Sequence, residues 1–226
     1  MQQHQLTSFS KLLSDHDREN GSTSHNDSSS RSSAIGGDGH DSQQHICLNH
    51  NIVMSICVIC LNIRAVMPRR FPKDSPAKLN CHEWITCMNQ VQPTIIFAST
   101  IVWYILLDYC IKHGLRLPSS IRIVIAGGAP VPVTLHRKLT QVSNGCATLY
   151  PTYGSTECLP IAYTSTRMLE QHSLLAEDEA DDRESQVSGV CLGTVCSGIE
   201  VDLRPIDERF NQYDATMPIR KICLKG

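Results

Sequence analysis

The chain has 226 residues, with 20 Lys and Arg against 22 Asp and Glu, and a formal net charge of −2 gives no footing for nucleic acid. That length is sufficient for one ordinary domain with a buried core. No apolar run approaches the roughly twenty residues that span a bilayer, which excludes a transmembrane helix.

Residues 1–45 are dominated by Ser, His, Asp, Asn, Gly and Gln, with few large apolar groups from Ser14 to Gln44. Such a composition predicts a disordered tail with no face to dock. His4, His16, His25, His40 and His45 repeat no metal-ligand spacing, so a solvated tail is preferred to a metal tract. An apolar segment behind a basic start is missing, so this is not read as a secretory signal.

Ile52 to Leu61 is the most apolar window and reads as a buried strand, while Arg64, Arg69 and Arg70 beyond it leave a peripheral membrane-surface anchor as the alternative. The 11 cysteines are odd in number and scattered through apolar segments, which points to a reducing, cytoplasmic setting. Cys57-x-x-Cys60, with Cys47, His45 and His50 nearby, has the elements of a zinc or redox set, yet it sits in a continuous apolar run without a second such pair. Buried thiols acting as small hydrophobes are the better reading there and for Cys81, Cys87, Cys110 and Cys146.

From Cys81 to Tyr150, apolar runs alternate with helical periods, as in a βα-layered sheet. The predicted order is a helix over His82–Gln90, a strand over Pro93–Phe97, and a helix over Ser99–His113 capped by Ser99 or Thr100 and stopped by Gly114. A strand over Ile121–Ala126, a helix over Pro132–Val142 and a strand over Cys146–Tyr150 follow. Leu169 to Ser188 is acidic and reads as an exposed helix-loop; Ile199–Leu203 and Ile222–Leu224 read as strands of a separate small sheet. Trp84 and Trp103 are expected in the core, and His136 on an exposed helix face.

Two glycine turns end two of the apolar runs. Gly127-Gly128-Ala129-Pro130 follows the first, and Tyr153-Gly154-Ser155-Thr156-Glu157 follows the second. In parallel sheets the crevice beyond the strands' carboxyl ends is where ligands bind. Gly154 frees the next loop to present N–H groups to a phosphate, Thr156 offers a donor to a phosphoryl oxygen, and Glu157 offers the hard oxygen that magnesium prefers. The ring of Tyr153 is suited to lie against a purine. Each residue also has a structural explanation: a tight strand-to-helix turn for Gly127 and Gly128, and a cap or arginine pair for Glu157. No Gly-x-Ser-x-Gly elbow, lysine-bearing phosphate loop or dinucleotide fingerprint is present.

The paired turns and their spacing resemble the adenylate-forming superfamily, whose Tyr-Gly-x-Thr-Glu signature is complete at Tyr153–Glu157. The resemblance continues through Val66-Met67-Pro68 and Asp74–Leu79, Phe97–Thr100 and Gly114–Ser119. With Thr156–Ile161, Gly189–Gly193 and Gly198–Val201 it lies nearest the olefin β-lactone synthetases, beside the fatty acyl-CoA synthetases. It implies an α/β fold, here the parallel-sheet portion of an N-terminal adenylation domain over residues 46–226. It also implies ATP and Mg²⁺ as cofactors and a fatty or 3-hydroxy fatty acid as substrate, with coenzyme A as acceptor in the ligase branch.

By the same resemblance Gly127, Gly128, Ala129 and Pro130 line the adenine and acyl pocket, with Gly154 and Ser155 beside the nucleotide. Tyr153 packs on adenine, Thr156 contacts the α-phosphate and Glu157 holds Mg²⁺, the last two being the catalytic pair. The family's phosphate loop, ribose-binding aspartate and lid lysine have no counterpart here, so the chain is expected to be a fragment inactive by itself. A truncated, non-catalytic remnant is the alternative.

Overall fold

A computed structural model of the chain describes residues 10–18, 45–49, 52–68, 78–171, 190–205 and 220–225. Its main element is a seven-stranded sheet of β1 (Ile46–Asn49), β2 (Arg64–Val66), β3 (Ile95–Ser99), β4 (Ile123–Gly127), β5 (Thr148–Ser155), β6 (Cys158–Tyr163) and β7 (Thr194–Val195), in the order β2-β1-β3-β4-β5-β6-β7. The first five strands in space, β2 through β5, run parallel. The last two joints, β5 with β6 and β6 with β7, are antiparallel. A further pair, β8 (Glu200–Pro205) and β9 (Arg220–Lys225), forms the separate small sheet expected, and its pairing is antiparallel.

The central parallel strands β3 and β4 are buried on both faces, which is why Ile95–Ser99 and Ile123–Gly127 read as unbroken apolar runs. Successive residues still point to opposite sides. Leu48, Ile96, Val124 and Leu149 pack beneath α3 (Cys81–Val91), α4 (Thr100–Lys112) and α5 (Val133–Ser143), where Trp84 and Trp103 are fully buried. Cys47, Ile95, Phe97, Ile123, Ile125 and Tyr150 face the other way, toward α2 (Ile52–Cys60) and a helix over residues 10–18, here α1. A further helix, α6 (Thr166–Gln171), follows β6. The indole of Trp103 donates to the carbonyl of Ile125 at 3.1 Å, so the ring tethers α4 to the sheet as well as filling space.

Several expectations are corrected. Ile52–Leu61 is a helix, not a strand: Met54 and Val58 are buried one turn apart while Ile59 and Cys60 are exposed. The unbroken apolar run hid that period. Residues 10–18 dock on the sheet although the tail was predicted to present nothing, because Leu12 and Leu13 precede the polar stretch and Leu12 is only 1% exposed. Residues 1–9 and 19–44 of the predicted tail, and most of the acidic Leu169–Ser188 stretch, lie outside the described residues. His136 is buried, not exposed, and Cys60 and Cys146 are exposed rather than packed. Ser99 is the N-cap of α4 but its side chain makes no capping bond.

Candidate nucleotide cleft

Strand order 2-1-3-4-5 places the sheet's topological switch between β1 and β3. A cleft of about 430 Å³ lies instead at the carboxyl ends of β4 and β5. One wall is Gly128-Ala129-Pro130-Val131 after β4, a second is Pro151-Thr152-Tyr153-Gly154 at the end of β5, and a third is Val190-Cys191-Leu192. Parallel pairing of Gly127 with Thr152 brings the first two walls together.

The turn after β4 is held from behind by α4. The hydroxyl of Thr100 donates to the carbonyl of Ala129 at 3.0 Å and lies 3.4 Å from that of Gly127. Thr100 thus braces the turn instead of capping its helix. Gly128 has φ of +83°, and no atom stands within 4 Å of where its Cβ would be, so it serves the backbone bend and leaves the cleft open.

Gly154 has a different job from the one expected of it. The chain does not loop away after Tyr150; it continues as β5 to Ser155 and returns immediately as β6. The register shifts between Tyr153 and Ser155, and a Cβ on Gly154 would sit 2.7 Å from Cδ1 of Leu159 and 2.8 Å from the carbonyl oxygen of Cys158. Absence of a side chain is what lets the two strands close here.

Of the residues singled out in the sequence, Gly128, Ala129, Pro130, Tyr153 and Gly154 line the cleft together. Gly127 ends β4 just behind it. Ser155, Thr156 and Glu157 lie at the tip of the β5–β6 hairpin, exposed to solvent and outside the cleft lining. Hydrogen bonds from the Ser155 side chain and from its own backbone N–H hold the Glu157 carboxyl below the usual carboxylate range, so it is anionic at neutral pH. The tip thus offers an ionised carboxylate beside two hydroxyls. By resemblance Thr100 was expected in a strand-to-helix turn beside the carboxylate substrate, without a role of its own, whereas the Val190–Leu192 wall was not foreseen as part of the site. The short apolar run between Gly189 and Gly193 was the available signal for the latter.

Comparison with known proteins gives the family of the chain. Residues 31–215 match the family model of the AMP-binding enzymes. An olefin beta-lactone synthetase from Xanthomonas campestris pv. campestris is 30% identical over 148 residues, which is 66% of this chain and 24% of that protein. The corresponding synthetase from Stenotrophomonas maltophilia is 35% identical over 97 residues, 43% of this chain and 16% of its own length. The chain therefore spans about a quarter or less of these relatives.

Among solved structures, O-succinylbenzoate coenzyme A synthetase from Bacillus subtilis, in complex with ATP and magnesium ion, has a TM-score of 0.53 at 16% identity over 84% of this chain and 34% of its own. A luciferase-like enzyme from the mealworm Zophobas morio has a TM-score of 0.51 at 18% identity, over 75% of this chain and 36% of that one. Those two likenesses concern the fold. The match of the family model across most of the sequence is the deciding one, and by it this chain belongs to the AMP-binding enzyme family.

Proposed function

We propose that the cleft binds ATP, and that the protein carrying this segment activates a fatty or 3-hydroxy fatty acid as its acyl-adenylate with release of pyrophosphate. The observation that carries the reading is the meeting of Gly128–Pro130 with Tyr153–Gly154 at two adjacent strand ends, with Thr156 and Glu157 on the adjoining turn. The volume is in the range of small-molecule sites, and its largely apolar lining, with the Tyr153 ring, suits a planar base. An exposed, ionised Glu157 fits a hard divalent cation. When bound, magnesium supplies neutralisation of charge on the phosphate oxygens.

In this reading Tyr153 packs on adenine, Thr156 donates to the α-phosphate, Glu157 holds the metal, and the apolar wall excludes water from the reacting carboxylate. Positioning and charge compensation account for most of the rate. The names of the synthetase relatives support the 3-hydroxy acid; coenzyme A is the acceptor in the ligase alternative. A second reading, a nucleotide-binding module without turnover, is favoured by one feature: Thr156 and Glu157 face solvent instead of the cleft.

ATP–pyrophosphate exchange separates the two. In the protein carrying this segment, exchange should depend on magnesium and on the carboxylic acid, and Glu157→Gln should lower it by roughly a hundredfold, the scale of one lost electrostatic contact in the transition state. ATP binding without exchange would select the module, and unaltered exchange in the variant would make Glu157 structural.

A further inference from the structure

Helix α1 touches the strands that carry the candidate site. The hydroxyl of Tyr163 donates to Oδ2 of Asp15 at 2.6 Å, and Nδ1 of His16 lies 3.0 Å from the hydroxyl of Tyr150. Tyr150 belongs to β5 and Tyr163 to β6, neighbours in the antiparallel pair where Thr152 faces Tyr163. Both rings are buried. One turn earlier Leu12 enters a narrow groove with Phe97, Ile125 and Leu159. Consecutive residues of one helix therefore hold one residue on each arm of the hairpin whose tip presents Thr156 and Glu157.

We propose that Asp15 and His16 are positioning residues for the candidate site, fixing the β5–β6 hairpin, and with it the Thr156–Glu157 turn, through Tyr163 and Tyr150. What the turn is for rests on the ATP reading; the grip itself does not. The hairpin tip is exposed and has no apolar anchor of its own, so its angle to the cleft is set by what holds its base. Two long-range hydrogen bonds from a single short helix oppose shear between the arms. The joint they brace is the place where the sheet changes from parallel to antiparallel and the register slips.

The grip has a pH signature. Burial is the main influence on His16 and lowers its pKa, Asp17 on the same helix opposes this, and Arg167 of α6, His45 beside β1 and Arg122 before β4 add to the lowering. The Tyr150 phenol also faces its Nδ1. Docked His16 is thus favoured neutral, whereas undocked His16 titrates near 6.5. Docking is fully supported above that value and weakens as pH falls below it.

Hydrogen exchange of the full chain, read by mass spectrometry without nucleotide, tests the proposal. Asp15→Ala, His16→Ala and Tyr163→Phe, the last keeping the ring and removing only the bond, should each speed exchange in β5–β6 by about fivefold to tenfold. Exchange in α3–α4 and the emission of Trp84 and Trp103, which lie on the opposite face of the sheet, should not move. After correction for the chemical rate, wild-type hairpin protection should decline as pH falls from about 6.5 to 5. His16→Gln, which still bonds to a phenol but does not titrate, should keep neutral-pH protection and lose that decline. Unchanged hairpin exchange in the three variants, equal loosening of α3–α4, or the same pH profile in His16→Gln would overturn the proposal. Failure of ATP to bind would leave it standing and count only against the ATP reading.

Discussion

At Gly154 and His136 single side chains, or their absence, control large effects. Gly154→Ala forces a methyl group to 2.7 Å from Leu159 Cδ1 and against a backbone carbonyl that cannot step aside. Overpacking of this kind costs about 1–3 kcal/mol, so the variant should unfold at lower urea with the hairpin loosened first. His136 is only 2% exposed; its Nδ1 lies 2.8 Å from Thr166 Oγ1, and burial pushes its pKa down to about 4. An unfolded imidazole titrates near 6.5, so between the two values the unfolded chain binds more protons. Stability from this group is fully present above about 6.5 and is lost as pH falls toward 4. Unfolding free energies at about pH 7 and pH 5 should differ by on the order of 2 kcal/mol through His136, and His136→Asn should remove that part of the difference.

Helix ends explain much of why the elements stop where they do. Asn80 accepts the N–H of Glu83 at 3.1 Å to open α3, and Gln92 closes it at φ of +50°, its N–H bonded to the carbonyl of Met88. That left-handed conformation costs a residue with a Cβ about 1–2 kcal/mol. Gln92→Gly should therefore raise stability by about 0.5–1 kcal/mol after the greater freedom of glycine in the unfolded chain is subtracted, visible as a higher thermal midpoint. The same physics decided how much of the chain was legible. Helices α3 and α5 were readable because each has polar residues on one side, and α4 from its length, its Ser99–Thr100 opening and the Gly114 stop. α2 was not, since its run lacks a polar face to set the period. The β5–β6 hairpin was hidden by Pro151, Gly154 and Pro160, which read locally as a loop although pairing across the strands accommodates all three.

For the whole molecule, the layered α/β plan was legible because a parallel sheet buried on both faces writes itself as apolar runs spaced by helices. Two walls of the cleft were legible for the same reason: each is the turn that ends one such run. The third wall, Val190–Leu192, joins them only through the fold: the short apolar run before Gly193 marks the segment but not where it docks. Helix α1 is the extreme case, because its hydrogen-bond partners lie 134 and 148 residues further along the chain. Biosynthesis sees that separation as time. At roughly 5–20 residues per second, α1 leaves the ribosome on the order of ten seconds before β6 exists to receive it. The earliest described helix to be made is among the last able to find its place, so the β5–β6 hairpin acquires its brace only once both arms have emerged.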